Sequence, residues 1–184
     1  MIDCNGLGLG LADEMIKTHT DARGRELPAY GFFNNDDYKK IQPKDSIPIL
    51  YSMKANGPLK SKINGNAYSR LNGGLVRFLI SEQEARNALL GTKLGQKMTM
   101  RERVQRLLPH EQTTKLFEEM GNLRVKNVGM DIVLEAINKR FHDDRYYAFA
   151  YGLWRIKEIE EAQMKKQRRR GAGKRNLIFF TGGA

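Results

Sequence analysis

The chain has 184 residues, enough for one domain with a sizeable core. Lys and Arg number 32 against 21 Asp and Glu, and the resulting charge of +11 excludes an acidic-surface protein and favours a polyanionic partner. A hydrophobic share of 40% argues against wholesale disorder, and the single cysteine, Cys4, excludes an internal disulfide framework and any multi-cysteine zinc site.

Residues 1–3 read as the end of a β-strand. Gly6, Gly8 and Gly10 follow, and Leu7, Leu11, Met15 and Ile16 then fall at roughly helical spacing. Residues 18–44 are polar, carry Gly and Asn, and read as loop. The run IPILYSMKA at 47–55 predicts a strand, closed by Gly57-Pro58. Ile63, Ala67, Tyr68 and Leu71 predict a helix over 59–71, which Gly73-Gly74 ends, and LVRFLI at 75–80 reads as a buried strand.

Ser81 with Glu84, and Thr99 with Glu102, are capping-box signatures. They predict one helix over 82–90 and another that ends before Pro109. A further helix is expected over 110–120, a short strand over 123–128 and a helix over 130–140. The last helix runs from about 144 to 169, with Tyr147, Ala150, Tyr151 and Trp154 on one face and Phe149, Leu153 and Ile156 on the other. Its first half therefore reads as buried nearly all round, and Tyr146, Tyr147 and Trp154 as core rather than as base-stacking platforms. Strands alternate with helices, which makes the class α/β. The apolar runs are far shorter than the ~20 residues of a membrane span, no secretory signal is visible, and no membrane partner is expected.

The positive charge is concentrated. Residues 165–175, KKQRRRGAGKR, hold seven basic residues and no acidic one, and without them the surplus falls from +11 to +4. The chain is accordingly divided into residues 1–164 and a basic tail, 165–184. Arg168, Arg169 and Arg170 are candidate phosphate contacts on an arm whose affinity is salt-sensitive and blind to sequence, the alternative being a solvated tail. Residues 176–184, with Leu177, Ile178, Phe179 and Phe180, read either as a short strand or as a frameshifted end. Lys54, Lys60 and Lys62 flank the Gly57-Pro58 turn, where they either reach a nucleic-acid backbone or form an ordinary solvated loop.

Asp3 closes the first strand just before a glycine-rich turn, and Asp143 and Asp144 open the last helix behind His142. Carboxylates at a strand end and at a helix start can converge across a sheet edge. Such a set suits Mg²⁺, a hard cation that takes one or two carboxylates per ion, and two ions about 4 Å apart promote phosphodiester cleavage. Taken singly, Asp143 reads as an N-cap, Asp3 as a cap for the helix near Gly6 and His142 as a surface residue. The glycines form G-x-G-x-G, which lacks the spacing of a dinucleotide fingerprint, and Gly171-Ala172-Gly173-Lys174 lacks that of a phosphate-binding loop.

IDCNGLGLGLAD at 2–13 resembles the second acidic motif of the nuclease domain in tailed-bacteriophage terminase large subunits, and HDDRYYAFAYGL at 142–153 resembles the third. The resemblance spans about residues 1–160. It implies an RNase H-like fold, a mixed sheet flanked by helices, here missing its first strands and its first catalytic Asp. It also implies a Mg²⁺- or Mn²⁺-dependent endonuclease that cuts concatemeric double-stranded viral DNA in the cytoplasm of a bacterial host. Asp3 and Asp144 match the second and third metal-binding acids, with Asp143 the substitute one position away and His142 close enough to assist. Arg145 would hold a carboxylate or the scissile phosphate, the alternative being a structural ion pair on the helix. The partners implied are double-stranded DNA, a portal protein, a small terminase subunit and an upstream ATPase segment, and the isolated chain is expected to be incomplete or inactive alone. A second class stands beside this one: a basic nucleic-acid-binding module without catalysis, in which the acids are caps.

Overall fold

A computed structural model of the chain describes residues 1–4, 8–128, 131–138, 140 and 142–172, with side chains apart from those of Asp3, Gly8, Asn127, Val128, Arg170, Gly171 and Ala172. In chain order the elements begin with β1 (Ile2–Asp3), α1 (Gly8–Met15), β2 (His19–Thr20), β3 (Glu26–Leu27), β4 (Tyr30–Phe32) and α2 (Asp36–Ile41). Next come β5 (Ile47–Leu50), β6 (Ser52–Met53), α3 (Gly57–Asn72), α4 (Glu82–Leu90) and α5 (Lys93–Lys97). The last are α6 (Met100–Gly121), β7 (Leu123–Val128), β8 (Asp131–Ala136) and α7 (Asp144–Ala172). The architecture is mixed α/β.

The extended segment 47–53, made of β5 and β6, joins the small sheets. β4 pairs in parallel with β5, and β1 pairs in parallel with β6, Ile2 opposite Ser52 and Asp3 opposite Met53. Neighbouring carbonyls of an extended chain face opposite edges: Leu50 O accepts from Phe33 N at 3.2 Å, and Tyr51 O from Ile2 N at 2.8 Å. Asn34 lengthens the β4 edge with its side chain. Its Oδ1 accepts from Ser52 N at 2.7 Å and its Nδ2 donates to Ser52 O at 2.8 Å, as a strand residue would.

Alternation along these strands fills two cores. Ile2, Cys4, Phe32 and Leu50 face α1 and α2, where Ala12, Ile16 and Tyr38 complete one cluster. Met53 and Ala55 face the other way, against Ile63 and Ala67 of α3 and Tyr146, Ala150, Tyr151 and Leu153 of α7. α3 and α7 run parallel to each other: Lys60 lies over the Tyr147 ring, the Tyr146 hydroxyl donates to Asn64 Oδ1, and Arg70 pairs with Glu160. Beyond them β7 and β8 form an antiparallel pair against α3, and α4, α5 and α6 form a helical annex.

Several expectations are corrected. Residues 18–44 are not simply loop: they hold β2, β3, β4 and α2, the last capped by Asn35, whose side chain accepts from Asp37 N and Tyr38 N. Residues 75–80 form no strand. Val76 and Phe78 turn inward, with Phe78 4.7 Å from Phe117 and 5.5 Å from Phe149 between ring centroids, while Leu75, Leu79 and Ile80 are exposed. The segment has the alternation of a strand without a partner to pair with.

The helix expected over 130–140 is replaced by β8, whose six residues pair in register with β7. Pro109 does not end a helix; α6 runs through it. A proline removes the donor for the carbonyl four residues back, here exposed Gln105, which remains open to water. The first half of α7 is buried on one side rather than all round, since Ala148 and Ile156 are exposed; Tyr146 is buried, and Tyr147 and Trp154 are half-buried. The same helix continues to Ala172, so the start of the basic segment is its last turns; residues 173–184 lie outside the described residues.

Gly95 fixes the packing of the annex. A Cβ at this position would lie 1.9 Å from the Leu89 carbonyl oxygen, a backbone atom that cannot step aside. Gly95→Ala is expected to destabilise the protein by about 1–3 kcal/mol in urea unfolding; an unchanged midpoint would show that α5 does not pack tightly on α4.

Candidate functional site

The direction of the strands decides which side chains meet. Tyr51, just ahead of β6, donates its hydroxyl to Glu158 Oε2 at 2.7 Å, far along α7. At the other end of β6, Asn56 caps α3 by accepting from Leu59 N at 3.0 Å, and Lys60 of the first turn sits 5.0 Å from the centroid of Tyr147. α7 therefore runs antiparallel to β6 and starts at its carboxyl end. β1 is parallel to β6, so the backbone of Asp3 ends at the same side of the sheet as the start of α7. The side chain of Asp3 lies outside the described residues.

A cleft of about 660 Å³ opens there, lined by Lys60, Asp143, Asp144, Tyr147 and Tyr151 among others. The two carboxylates are free because another residue caps the helix. Glu119 of α6 is only 4% exposed, and its Oε2 accepts from Arg145 N at 2.9 Å and Tyr146 N at 3.1 Å. These are the second and third amides of α7, the donors an N-cap side chain would normally take. The other oxygen of Glu119 accepts from Arg145 Nη1 at 2.6 Å, and Arg145 Nε donates to Gln112 Oε1 at 3.0 Å. Asp143 contributes only its backbone to the cap, its carbonyl accepting from Tyr147 N at 3.0 Å. Among the described residues no hydrogen bond or ion pair engages the carboxylate of Asp143 or Asp144.

Burial and then the negative charge of Asp143 raise the Tyr147 hydroxyl, and burial pushes that of Tyr146, which lies outside the cleft, up to about 12. The cleft thus combines two carboxylates that have no hydrogen-bond or ion-pair partner among the described residues with the Lys60 ammonium and the phenols of Tyr147 and Tyr151. This is a set that can hold a hard cation beside an anionic oxygen.

The remaining sequence candidates divide. Arg145 forms an ion pair with Glu119, the structural alternative to a role at the scissile phosphate. His142 is exposed and lines a separate cavity of about 230 Å³ with Lys115, Glu118, Arg140 and Arg145 rather than the acidic cleft. Lys54 and Lys62 are exposed near the carboxyl end of β6, Lys62 on α3, but neither lines the cleft. Arg168 and Arg169 are exposed near the far end of α7, and the Arg170 side chain is outside the described residues. Among the described residues no group of three His, Cys, Asp or Glu side chains is placed to hold a metal.

Glu119 and Tyr147 are the functional residues that sequence reasoning missed. No motif links Glu119 to a helix start 26 positions away, whereas Tyr147 carries a weak signal in its helical spacing from Asp143 and Asp144.

Glu119→Ala leaves two amides of α7 without an acceptor and should cost about 2 kcal/mol in urea unfolding. Glu119→Gln, which keeps an acceptor oxygen, should lose less. A Glu119→Ala protein within about 0.5 kcal/mol of the parent would contradict the capping role. No family model, curated protein or solved structure matches the chain, so the reading of this site rests on its own residues.

Proposed function

We propose that the chain is the nuclease part of a terminase-type large subunit with an RNase H-like fold, acting on double-stranded DNA with Mg²⁺ or Mn²⁺. The observation that supports this reading is the cleft at the start of α7. Asp143 and Asp144 line it with no hydrogen bond or ion pair among the described residues, and the backbone of Asp3 ends on the same side of the sheet. In open α/β sheets, ligands bind outside the carboxyl ends of the strands, which is where these residues lie.

The donor set suits the ion. Asp3 and Asp144 would hold it, with Asp143 beside them, and hard oxygen ligands with room for water are what Mg²⁺ requires. When bound, such an ion supplies Lewis acidity toward a phosphodiester oxygen and acidifies water. Lys60 offers the cleft a positive charge for a neighbouring phosphate, backed by the Tyr147 ring. From Asp144 to Arg168 α7 rises about 36 Å, close to one turn of B-DNA. One duplex can therefore touch the cleft and the basic end of the helix together. Portal protein, small terminase subunit and an upstream ATPase segment are the partners this assignment entails, and the cytoplasm of a bacterial host is its place of action. Among the described residues no helix is long and apolar enough to cross a membrane.

Metal binding separates this reading from a basic module that only binds DNA. Mn²⁺ should raise the midpoint of thermal unfolding of the full chain, and Asp144→Asn and Asp3→Asn should each abolish most of the rise while leaving the metal-free midpoint within a few degrees. A duplex DNA fragment should bind with a salt-dependent affinity that Lys60→Ala and Arg168→Ala weaken. DNA binding with no metal-dependent shift would favour the module without catalysis.

A further inference from the structure

α4 and α6 pack through Ala85 and Leu107, both buried, yet much of the surface beside that contact is uncovered and apolar. Met100, Val104 and Leu108 recur every fourth residue on α6, so they form one stripe, and they are 73%, 51% and 46% exposed. Leu94 of α5 adds a further 63% exposed side chain. Between the helices is a cavity of about 110 Å³ lined by Leu89, Leu90, Val104, Leu107, Arg86 and Arg103 among others. It has room for a single aliphatic side chain.

The Arg103 guanidinium lies against this cavity. Its Nη2 donates to Gln96 O at 2.9 Å, which holds it in place, and its buried Nε has no acceptor among the described residues, so a desolvated positive charge is fixed beneath the face. The charge around it has the same sign. Glu84 and Glu102 are consumed by the caps of α4 and α6, and Glu82 by Arg86. Lys93, Lys97 and Arg101 are exposed, and among the described residues no ion pair engages them.

We infer that the α4–α6 face docks an acidic amphipathic helix of a partner protein, with one aliphatic side chain in the cavity and its carboxylates against the exposed Lys93, Lys97 and Arg101. The helix-in-groove mode uses this combination of an apolar stripe and flanking charge. A second copy of the chain fits less well, because an isologous contact would set the same cations against one another. Nucleic acid would meet the cations and leave Met100, Val104 and Leu108 uncovered.

A fluorescently labelled peptide about four helical turns long, with leucines at helical spacing flanked by glutamates, tests this by anisotropy with the full chain. The glutamate peptide should bind at least about tenfold more tightly than versions with glutamine or lysine in the same places. Lys97→Glu and Val104→Asp should each weaken it at least about tenfold, and Met100→Gln, at a more exposed position, should do so without altering thermal stability. Equal affinity for the three peptides, or affinity unmoved by these variants, overturns the inference. Displacement of the peptide by duplex DNA whose own binding ignores Val104→Asp overturns it in favour of a phosphate-binding face. A dimer through this face that the peptide cannot dissociate overturns it in favour of a second copy.

Discussion

The carboxylate of Glu119 is the interaction on which the rest of the site depends. A carboxylate this buried is costly unless its oxygens are occupied, and here two backbone amides and one guanidinium occupy them. The bond set ties the end of α6 to the first turn of α7. It also takes over the task that Asp143 or Asp144 would otherwise perform at that helix start. Those acids are left facing the cleft because a distant residue has satisfied the amides beneath them. A capping arrangement, usually a matter of local stability, thus leaves two carboxylates at one spot with no hydrogen bond or ion pair among the described residues.

The second constraint is strand direction. β1 and β6 run in parallel, and α3 starts three residues after β6, so the carboxyl ends of both strands and the starts of α3 and α7 share one end of the layer. Tyr51 on Glu158 and Arg155 over the Tyr51 ring at 4.6 Å fasten the opposite end. α7 thereby carries acidity at the cleft and positive charge about 36 Å away, near one turn of the duplex that the proposed function would place along it.

What was legible in the sequence follows the range of the interactions. Both capping boxes form as the spacing of Ser81 with Glu84 and Thr99 with Glu102 requires, because all their partners lie within one turn. α3 and α7 follow from helical periodicity for the same reason. The run of Ile132, Val133 and Leu134 in β8 has no period of its own to distinguish helix from strand, and its pairing with β7 decides. Residues 75–80 have the opposite history: a strand-like pattern with no neighbouring strand. Asp143 and Asp144 are legible from their place at a helix start, but the cap that relieves them comes from Glu119, and that contact between helices leaves no mark in the local sequence. Adjacency alone links His142 to them in the sequence, and in the fold it lines a different cavity.

The central claim is that the acids at the end of β1 and the start of α7 form one cation site. Paramagnetic broadening of backbone amide signals by substoichiometric Mn²⁺ measures this directly, since the effect falls steeply with distance from the ion. The account predicts that the amides of Cys4, Asp144, Arg145 and Lys60 broaden first and together, while those of Ile47 and Glu158, at the opposite end of the layer, stay sharp. Broadening centred on any other acidic group, or at Asp144 without Cys4, would contradict it.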